Sequence, residues 1–487
     1  MLILGLPSLP ISAISVLNLL KQAYLILLLS TGILIFVEWL HPRLPLLEKY
    51  TNKTHFLDFL SESNRLDSRD SLADIQETHN LYDSTQSQVA ADTVAEATDY
   101  TYVDLDTFKV PLAANVIALN DFLVSLKNEE QSRIAYFGDS QIEGDLVTLT
   151  IRRLLQLEYG GSGLGFLPVS SITAGFRNNI IHTFSKDWVK KNIGIHTKTK
   201  MDLGMSGEAF YNQSTDVSKP SWISYQLPQA QKQGVQHAKL LYGKSVENNY
   251  VIAKINKSEN VKHSLTGTCA ANEIILSDSS LIHSLKLDFA ISTQTPIFGV
   301  SLESEKGVIL DNFSLRGNSG LPLMHVQHDV LQAFDSLLDY DLLVFQFGIN
   351  IVNAGMKDYA WYERDLVKLI QYYKTAFPKA SILIIGLADK GMKIDGNMGT
   401  NPSVKRILKA QYKAALRTGV AFYNLFENMG GEGSMAKWAD KQKPALANKD
   451  YTHFNHKGAE KVGQMIGSWL LNQNKKNYAQ GDTLTVN

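Results

Sequence analysis

The chain has 487 residues, 44% of them hydrophobic and 20% charged, enough for two or three packed units rather than one. A formal net charge of −1 gives no electrostatic footprint for nucleic acid. The single cysteine, Cys269, excludes an internal disulfide and leaves the redox compartment open; its neighbours supply no activating base, so it reads as a small buried hydrophobe.

The chain begins with an apolar stretch. From Ala23 to Trp39 the first charge is Glu38, and apolar residues continue upstream past Lys21 to Leu2. About 17 to 25 such residues span a bilayer. A cleaved signal peptide needs small residues after its apolar core, whereas Glu38-Trp39-Leu40-His41-Pro42-Arg43 follow here, and Trp39 suits an interface belt. Residues 1–60 therefore read as an uncleaved membrane anchor. Arg43, Lys49 and Lys53 follow the span and only Lys21 lies close before it, a balance that by itself favours a cytoplasmic body. Residues 61–109 are rich in Ser, Thr, Asp, Gln and Ala, too poor in large apolar groups to offset their ordering entropy. They read as a flexible tether spanning on the order of 40 Å.

The folded body opens near Val110. An apolar strand, Ile134 to Phe137, breaks at Gly138-Asp139-Ser140 and leads to a helical stretch from Asp145 to Leu157. A hydroxyl where a buried strand turns into a helix is held clear of the backbone, near unpaired N–H groups that stabilise an oxyanion. Gly161-Ser162-Gly163-Leu164-Gly165 follows a helix and lacks the spacing of a dinucleotide loop; it reads as a loop shaping the mouth of an active site. From Ala174 to Ser314 short alternating runs such as Tyr250 to Ile255 and Ile297 to Leu302 predict an antiparallel β-sandwich inserted into an α/β domain.

Beyond the insert the pattern returns to buried strands and amphipathic helices. Strands are expected at Asp341 to Phe347, Ser381 to Leu387 and Val420 to Leu425, and helices at Tyr359 to Phe377, Ser403 to Arg417 and Lys457 to Leu471. Alternation of this kind implies a parallel sheet covered on both faces. The pairs His325/His328 and His453/His456 lack a cysteine or carboxylate cluster to complete a metal site, so no metal or cofactor is expected.

A serine nucleophile needs a base, a group to orient that base, and donors for the oxyanion. Asp450-Tyr451-Thr452-His453 puts a carboxylate and an imidazole on one loop, where the competing reading is a helix cap with an exposed histidine. Asn350 follows the buried run ending Phe347-Gly348-Ile349, and Gly320 can present a backbone N–H with no side chain in the way.

In order and spacing these segments resemble the SGNH (GDSL-type) esterases. Gly138-Asp139-Ser140 is similar to their nucleophile block, Gly320 to the glycine block with Gly317 close enough to compete, Gly348-Ile349-Asn350 to the asparagine block, and Asp450 to His453 to the final block. Gln141 and Ile351 depart from the usual pattern. The resemblance implies a flavodoxin-like α/β/α sandwich formed by residues 110–173 and 315–475, with 174–314 inserted and 476–487 a tail. It implies Ser140 as nucleophile, His453 as base, Asp450 as orienter, and an oxyanion hole made of the Ser140 and Gly320 N–H groups and the Asn350 side chain.

A β-rich insert between the nucleophile and glycine blocks is similar to that of bacterial peptidoglycan O-acetylesterases, where it resembles a carbohydrate-binding module. The segment Met429 to Met435 also resembles exported bacterial members. The expectation is thus a single-pass protein of the bacterial inner membrane with its body outside the cytoplasm, the resemblance outweighing the charge balance. Its substrate would be an O-acetylated glycan. The alternatives are acetyl transfer by the same triad, with a membrane-bound O-acyltransferase as partner, and a non-catalytic wall-binding module.

Overall fold

The computed structural model describes residues 109–481 apart from 129, 195–201, 215, 217, 229–232 and 293. The expected anchor and nearly all of the tether lie outside the described residues. Among the described residues no helix is long and apolar enough to cross a membrane.

Strand β1 (Ala113–Ala114) and helix α1 (Asn120–Ser125) lead into β2 (Gln131–Gly138) and α2 (Thr148–Tyr159). Strands β3 (Gly163–Pro168), β4 (Ile181–Phe184), β5 (Trp188–Asn192), β6 (Glu208–Asn212), β7 (Ser221–Gln226) and β8 (Val235–Tyr242) follow. Next come β9 (Tyr250–Ile255), β10 (Val261–Ser264), β11 (Asn272–Ile282), β12 (Ser284–Ile291) and β13 (Ile297–Glu303). The chain then forms β14 (Gly307–Ser314), α3 (His328–Leu338), β15 (Leu342–Gln346), α4 (Ala360–Ala376) and β16 (Ser381–Ile385). It ends with the hairpin β17 (Gly391–Ile394) and β18 (Asn397–Thr400), then α5 (Ser403–Thr418), β19 (Ala421–Tyr423) and α6 (His456–Gly481). Helix α6 runs past Leu471 into what the sequence suggests as a tail.

The central sheet has the order β1-β19-β16-β15-β2-β14, parallel throughout except for β1. Its parallel strands, numbered along the chain, stand 2-1-3-4-5, the flavodoxin-like arrangement. Strand side chains alternate between faces. Ala135 and Phe137 of β2 therefore pack with α3, α4 and α5, while Ile134 and Tyr136 pack with α1, α2 and α6. Each such large apolar side chain, fully removed from water, contributes roughly 1.5–3 kcal/mol. Strand order reverses between β2 and β15, which opens a crevice at their carboxyl ends. Gly138 pairs there with Gln346 on one side and Ser314 on the other.

The insert is an antiparallel sandwich. One sheet has the order β10-β9-β12-β7-β4, the other β11-β8-β13-β6-β5 with β3 on β13, and they share one apolar core. Its bounds differ from the 174–314 expected. β3 already belongs to the sandwich, and β14 belongs to the central sheet, paired in parallel with β2 over its whole length. Asp311 and Asn312 disguise β14 in the sequence, because a strand buried on both faces is expected to be apolar. Asn312 Nδ2 donates to Ile142 O and Thr148 Oγ1, and Asp311 enters an ionic cluster.

That cluster joins the insert to the sheet. Arg133 is fully buried; its Nε donates to Asp311 Oδ2 at 2.8 Å, Nη1 to Glu303 Oε1 at 2.7 Å and Nη2 to Ser301 Oγ at 2.7 Å. Tyr340 Oη and Phe166 N also donate to Asp311. Burial alone would raise Glu303, but Arg133 and Lys239 hold it at about 2.

Two further expectations change. Gly161 to Gly165 does not border an active site. Val308 N donates to Gly160 O near the amino end of β14, the end opposite Ser314. A Cβ on Gly161 would stand 2.7 Å from Val308 N, and one on Gly165 2.7 Å from Leu310 O, so these glycines let β3 cross β14 at backbone contact. Cys269 is exposed rather than buried: it sits in the turn before β11, where Asn272 Oδ1 accepts from its N–H.

Candidate active site

Gly138 ends β2 where a Cβ would meet the Ile142 side chain at 2.8 Å and Gln346 O at 3.1 Å. The chain then turns tightly: Gln141 N donates to Asp139 Oδ1 at 3.0 Å and Ile142 N to Asp139 O at 3.3 Å. The helix expected from Asp145 begins instead at Thr148, after a 3₁₀ turn over Glu143–Asp145. Gly144 and Asp145 have φ of 69° and 65°, incompatible with a continuous helix, and Asp145 turns inward to Arg152. Ser140 thus stands on a turn rather than at a helix start. Its own N–H makes no hydrogen bond among the described residues and is free to donate.

Ser140 Oγ lies 3.0 Å from His453 Nε2, and His453 Nδ1 lies 2.7 Å from Asp450 Oδ2. Asp450 Oδ1 accepts from the backbone N–H groups of Thr452 and His453 at 2.9 and 3.0 Å. The competing cap reading is excluded, because Asn455 Oδ1 accepts from Gly458 N and caps α6. Partial burial would raise Asp450, but the bonds from His453 and Thr452 outweigh it and hold the carboxyl at about 2. An ionised Asp450 fixes the proton on Nδ1 and leaves Nε2 to accept from Ser140.

Gln141, visible in the sequence only as a departure, ties the two loops together: its Nε2 donates to Thr452 O at 2.6 Å. Gly391 N donates to Tyr451 O at 2.8 Å and fixes the histidine loop from its other side.

Asn350 and Gly320 meet through Asn318, a residue the sequence did not single out. Asn350 Nδ2 donates to Asn318 O at 2.9 Å, and Gly320 N to Asn318 Oδ1 at 2.6 Å. The Asn350 amide keeps its second hydrogen for another acceptor. Gly320 would have to exchange Asn318 Oδ1 for a substrate oxygen before donating to it. A Cβ on Gly320 would stand 2.8 Å from the Phe347 ring, whereas one on Gly317 would meet nothing within 4 Å. Gly320, not Gly317, is therefore built into the asparagine segment.

The segment Met429 to Met435 packs against β18 and the chain leading into β17, with Gly433 N donating to Thr400 Oγ1 and Met435 N to Asp389 Oδ2. His328 Nε2 is 3.0 Å from Thr375 Oγ1, and no group of three His, Cys, Asp or Glu side chains that could hold a metal occurs among the described residues.

Asp139 is buried beside the nucleophile and its Oδ2 has no hydrogen-bond partner among the described residues. Burial pushes its carboxyl up to about 7, against the pull of the Gln141 N–H and His453. The folded state then holds this proton more tightly than the unfolded chain. Stability carries no penalty below about pH 4, falls as pH rises to about 7, and is constant above, by on the order of 4 kcal/mol. Asp139→Asn should flatten the melting temperature between pH 4 and 7 and raise it at pH 8. Equal wild-type and variant slopes across that interval would show that Asp139 does not titrate there.

No protein-family model and no curated protein sequence matches the chain. Among solved structures, a peptidoglycan O-acetylesterase is similar over 74% of this chain and 96% of its own, at a TM-score of 0.58 and 18% identity. The body has an SGNH/GDSL hydrolase fold. Weaker likenesses include a putative GDSL-like lipase from Parabacteroides merdae, with 34% of this chain and 74% of that one covered, 19% identity and a TM-score of 0.26. The salicylyl-acyltransferase SsfX3 covers 62% of this chain and 95% of its own, at 13% identity and a TM-score of 0.27. At such scores these two carry no argument. In this SGNH/GDSL hydrolase fold Ser140 and Asn350 follow the strands that flank the switch point, the crevice where a ligand is expected.

Proposed function

We propose that the protein is a serine esterase that removes O-acetyl groups from a polysaccharide outside the cytoplasm, peptidoglycan being the leading candidate. The observation that carries this reading is the hydrogen-bonded series Ser140, His453, Asp450 at the crevice of the sheet. Ser140 Oγ attacks the acetyl carbonyl as its proton passes to His453 Nε2. Asp450 stabilises the imidazolium, and Asn350 with the Ser140 N–H holds the oxyanion. Collapse breaks the bond to the sugar oxygen, which takes the proton from His453. Water, deprotonated by His453, then attacks the acetyl-serine, and acetate leaves as Ser140 regains its hydrogen.

Wild-type protein should release acetate from O-acetylated wall or exopolysaccharide. No release from any acetylated glycan would sink the reading, and acetyl appearing on an added acceptor glycan would replace hydrolysis with transfer. Asn350→Ala should lower kcat by about 100- to 1000-fold, the usual loss for one oxyanion donor. Retained activity in that variant would remove Asn350 from the hole.

A further inference from the structure

A second polar pocket lies beside the nucleophile, between β14 and the insert. Arg177, Glu208, Ser206, Thr173, Ser171 and Ser314 line it. It encloses about 30 Å³, space for two water-sized atoms. Ser314 pairs in register with Gly138, two residues before Ser140, and neighbouring strands lie about 4.8 Å apart. Gly144, four residues after Ser140, forms another wall, which puts the pocket within the length of a sugar unit or two from the ester.

Arg177 has no complete set of partners there. Its side chain is 7% exposed, yet Nε and Nη2 make no hydrogen bond among the described residues; Nη2 rests 3.2 Å from Asp145 Oδ2 as an ion pair only. Asp145 is already engaged by Arg152 at 2.7 and 3.0 Å, by Asn179 at 2.7 Å and by Thr148. Glu208 is paired with Lys190 at 2.9 Å, and Glu143 with Arg316 at 2.6 Å. Among the described residues Arg152, Arg177 and Lys190 thus pair only with Asp145 and Glu208, leaving one positive charge over. A buried guanidinium with open donors costs free energy until an acceptor arrives. The Nε/Nη2 edge is a fork that fits the two oxygens of a carboxylate.

The loop that carries Arg177 also presents apolar surface. Ile172 is 74% exposed and Phe176 63%, and they are chain neighbours of the pocket residues Ser171, Thr173 and Arg177, apolar surface of the kind that the face of a sugar ring covers. Building on the esterase reading, we propose that this pocket is a specificity subsite: Arg177 receives a carboxylate carried by the glycan close to the acetylated hydroxyl. The substrate class is an acidic acetylated polysaccharide, its carboxylate belonging either to a uronic acid or to a lactyl ether on an amino sugar.

The test compares full-length wild type, Arg177→Ala and Ser206→Leu on four substrates: acetylated polyuronate, acetylated amino-sugar chains with free lactyl groups, acetylated xylan, and p-nitrophenyl acetate. Arg177→Ala should raise KM on a carboxylated glycan by about 10-fold or more, with kcat unchanged. It should leave xylan and p-nitrophenyl acetate unaffected. Ser206→Leu, which fills the pocket and removes neither Arg177 nor its ion pair to Asp145, should give the same pattern and decides the matter should Arg177→Ala not fold. The two acidic arms identify which carboxylate is read. Equal KM for acidic and neutral glycans in wild type, or a uniform loss on all four substrates, would overturn the subsite. If no glycan is deacetylated, the esterase reading fails, and calorimetric binding of deacetylated polyuronate and lactyl oligomers still decides the pocket: binding lost in both variants upholds it, and none in wild type refutes it.

Discussion

Ser140→Ala should all but abolish acetate release, lowering kcat by roughly 10⁴- to 10⁶-fold while the melting temperature stays close to wild type. Ser140 is partly exposed, and among the described residues the only side-chain bond it makes is to His453. The fold around it rests on Gly138, the Asp139 turn and Gln141, none of which needs the hydroxyl. Acetate release by mass balance is the measurement, with intact-mass detection of acetyl on wild type but not on the variant. A variant retaining a tenth of wild-type turnover would exclude an acyl-enzyme on this serine.

Asp450→Asn should cost on the order of 10³- to 10⁴-fold in kcat at neutral pH. Oδ1 accepts the two backbone bonds that shape the turn, and an asparagine carbonyl can keep both. The change falls on Oδ2, which faces His453 Nδ1 at 2.7 Å. An amide donating there shifts the ring proton to Nε2, the nitrogen that must accept from Ser140. Because the native carboxyl is held at about 2, Asp450 is fully ionised across the neutral range and the loss belongs to the substitution itself. A loss below tenfold, with the fold intact by circular dichroism, would show that His453 is oriented by other means.

Ser140, Asn350, Asp450 and His453 were legible because each stands at the end of an apolar strand or just before a helix, in an order that few chemistries share. The sheet was legible where its strands are uniformly apolar, as at Leu342–Gln346. β14 was not, since Asp311 is paired with Arg133 and Tyr340 and Asn312 is hydrogen-bonded to Thr148, partners remote in sequence that only folding brings near. Gln141 and Asn318 were illegible for a related reason. A polar loop residue reveals its role only through what it touches, here Thr452 for one and Gly320 with Asn350 for the other. The glycines from 161 to 165 read as a loop at the mouth of the site, whereas close strand crossing requires them.

The ionic cluster around Arg133 bears on how such a protein can be cut or recombined. Three of its members, Arg133, Asp311 and Tyr340, belong to the sheet or its flank, while Glu303 and Ser301 come from the insert. Excising the sandwich would strip the guanidinium of half its acceptors, and breaking a buried ion pair in this way costs about 3–5 kcal/mol. The sandwich is therefore not a detachable accessory: it completes the buried partners of a strand that carries Ser140 at its end, so that removing it destabilises the sheet.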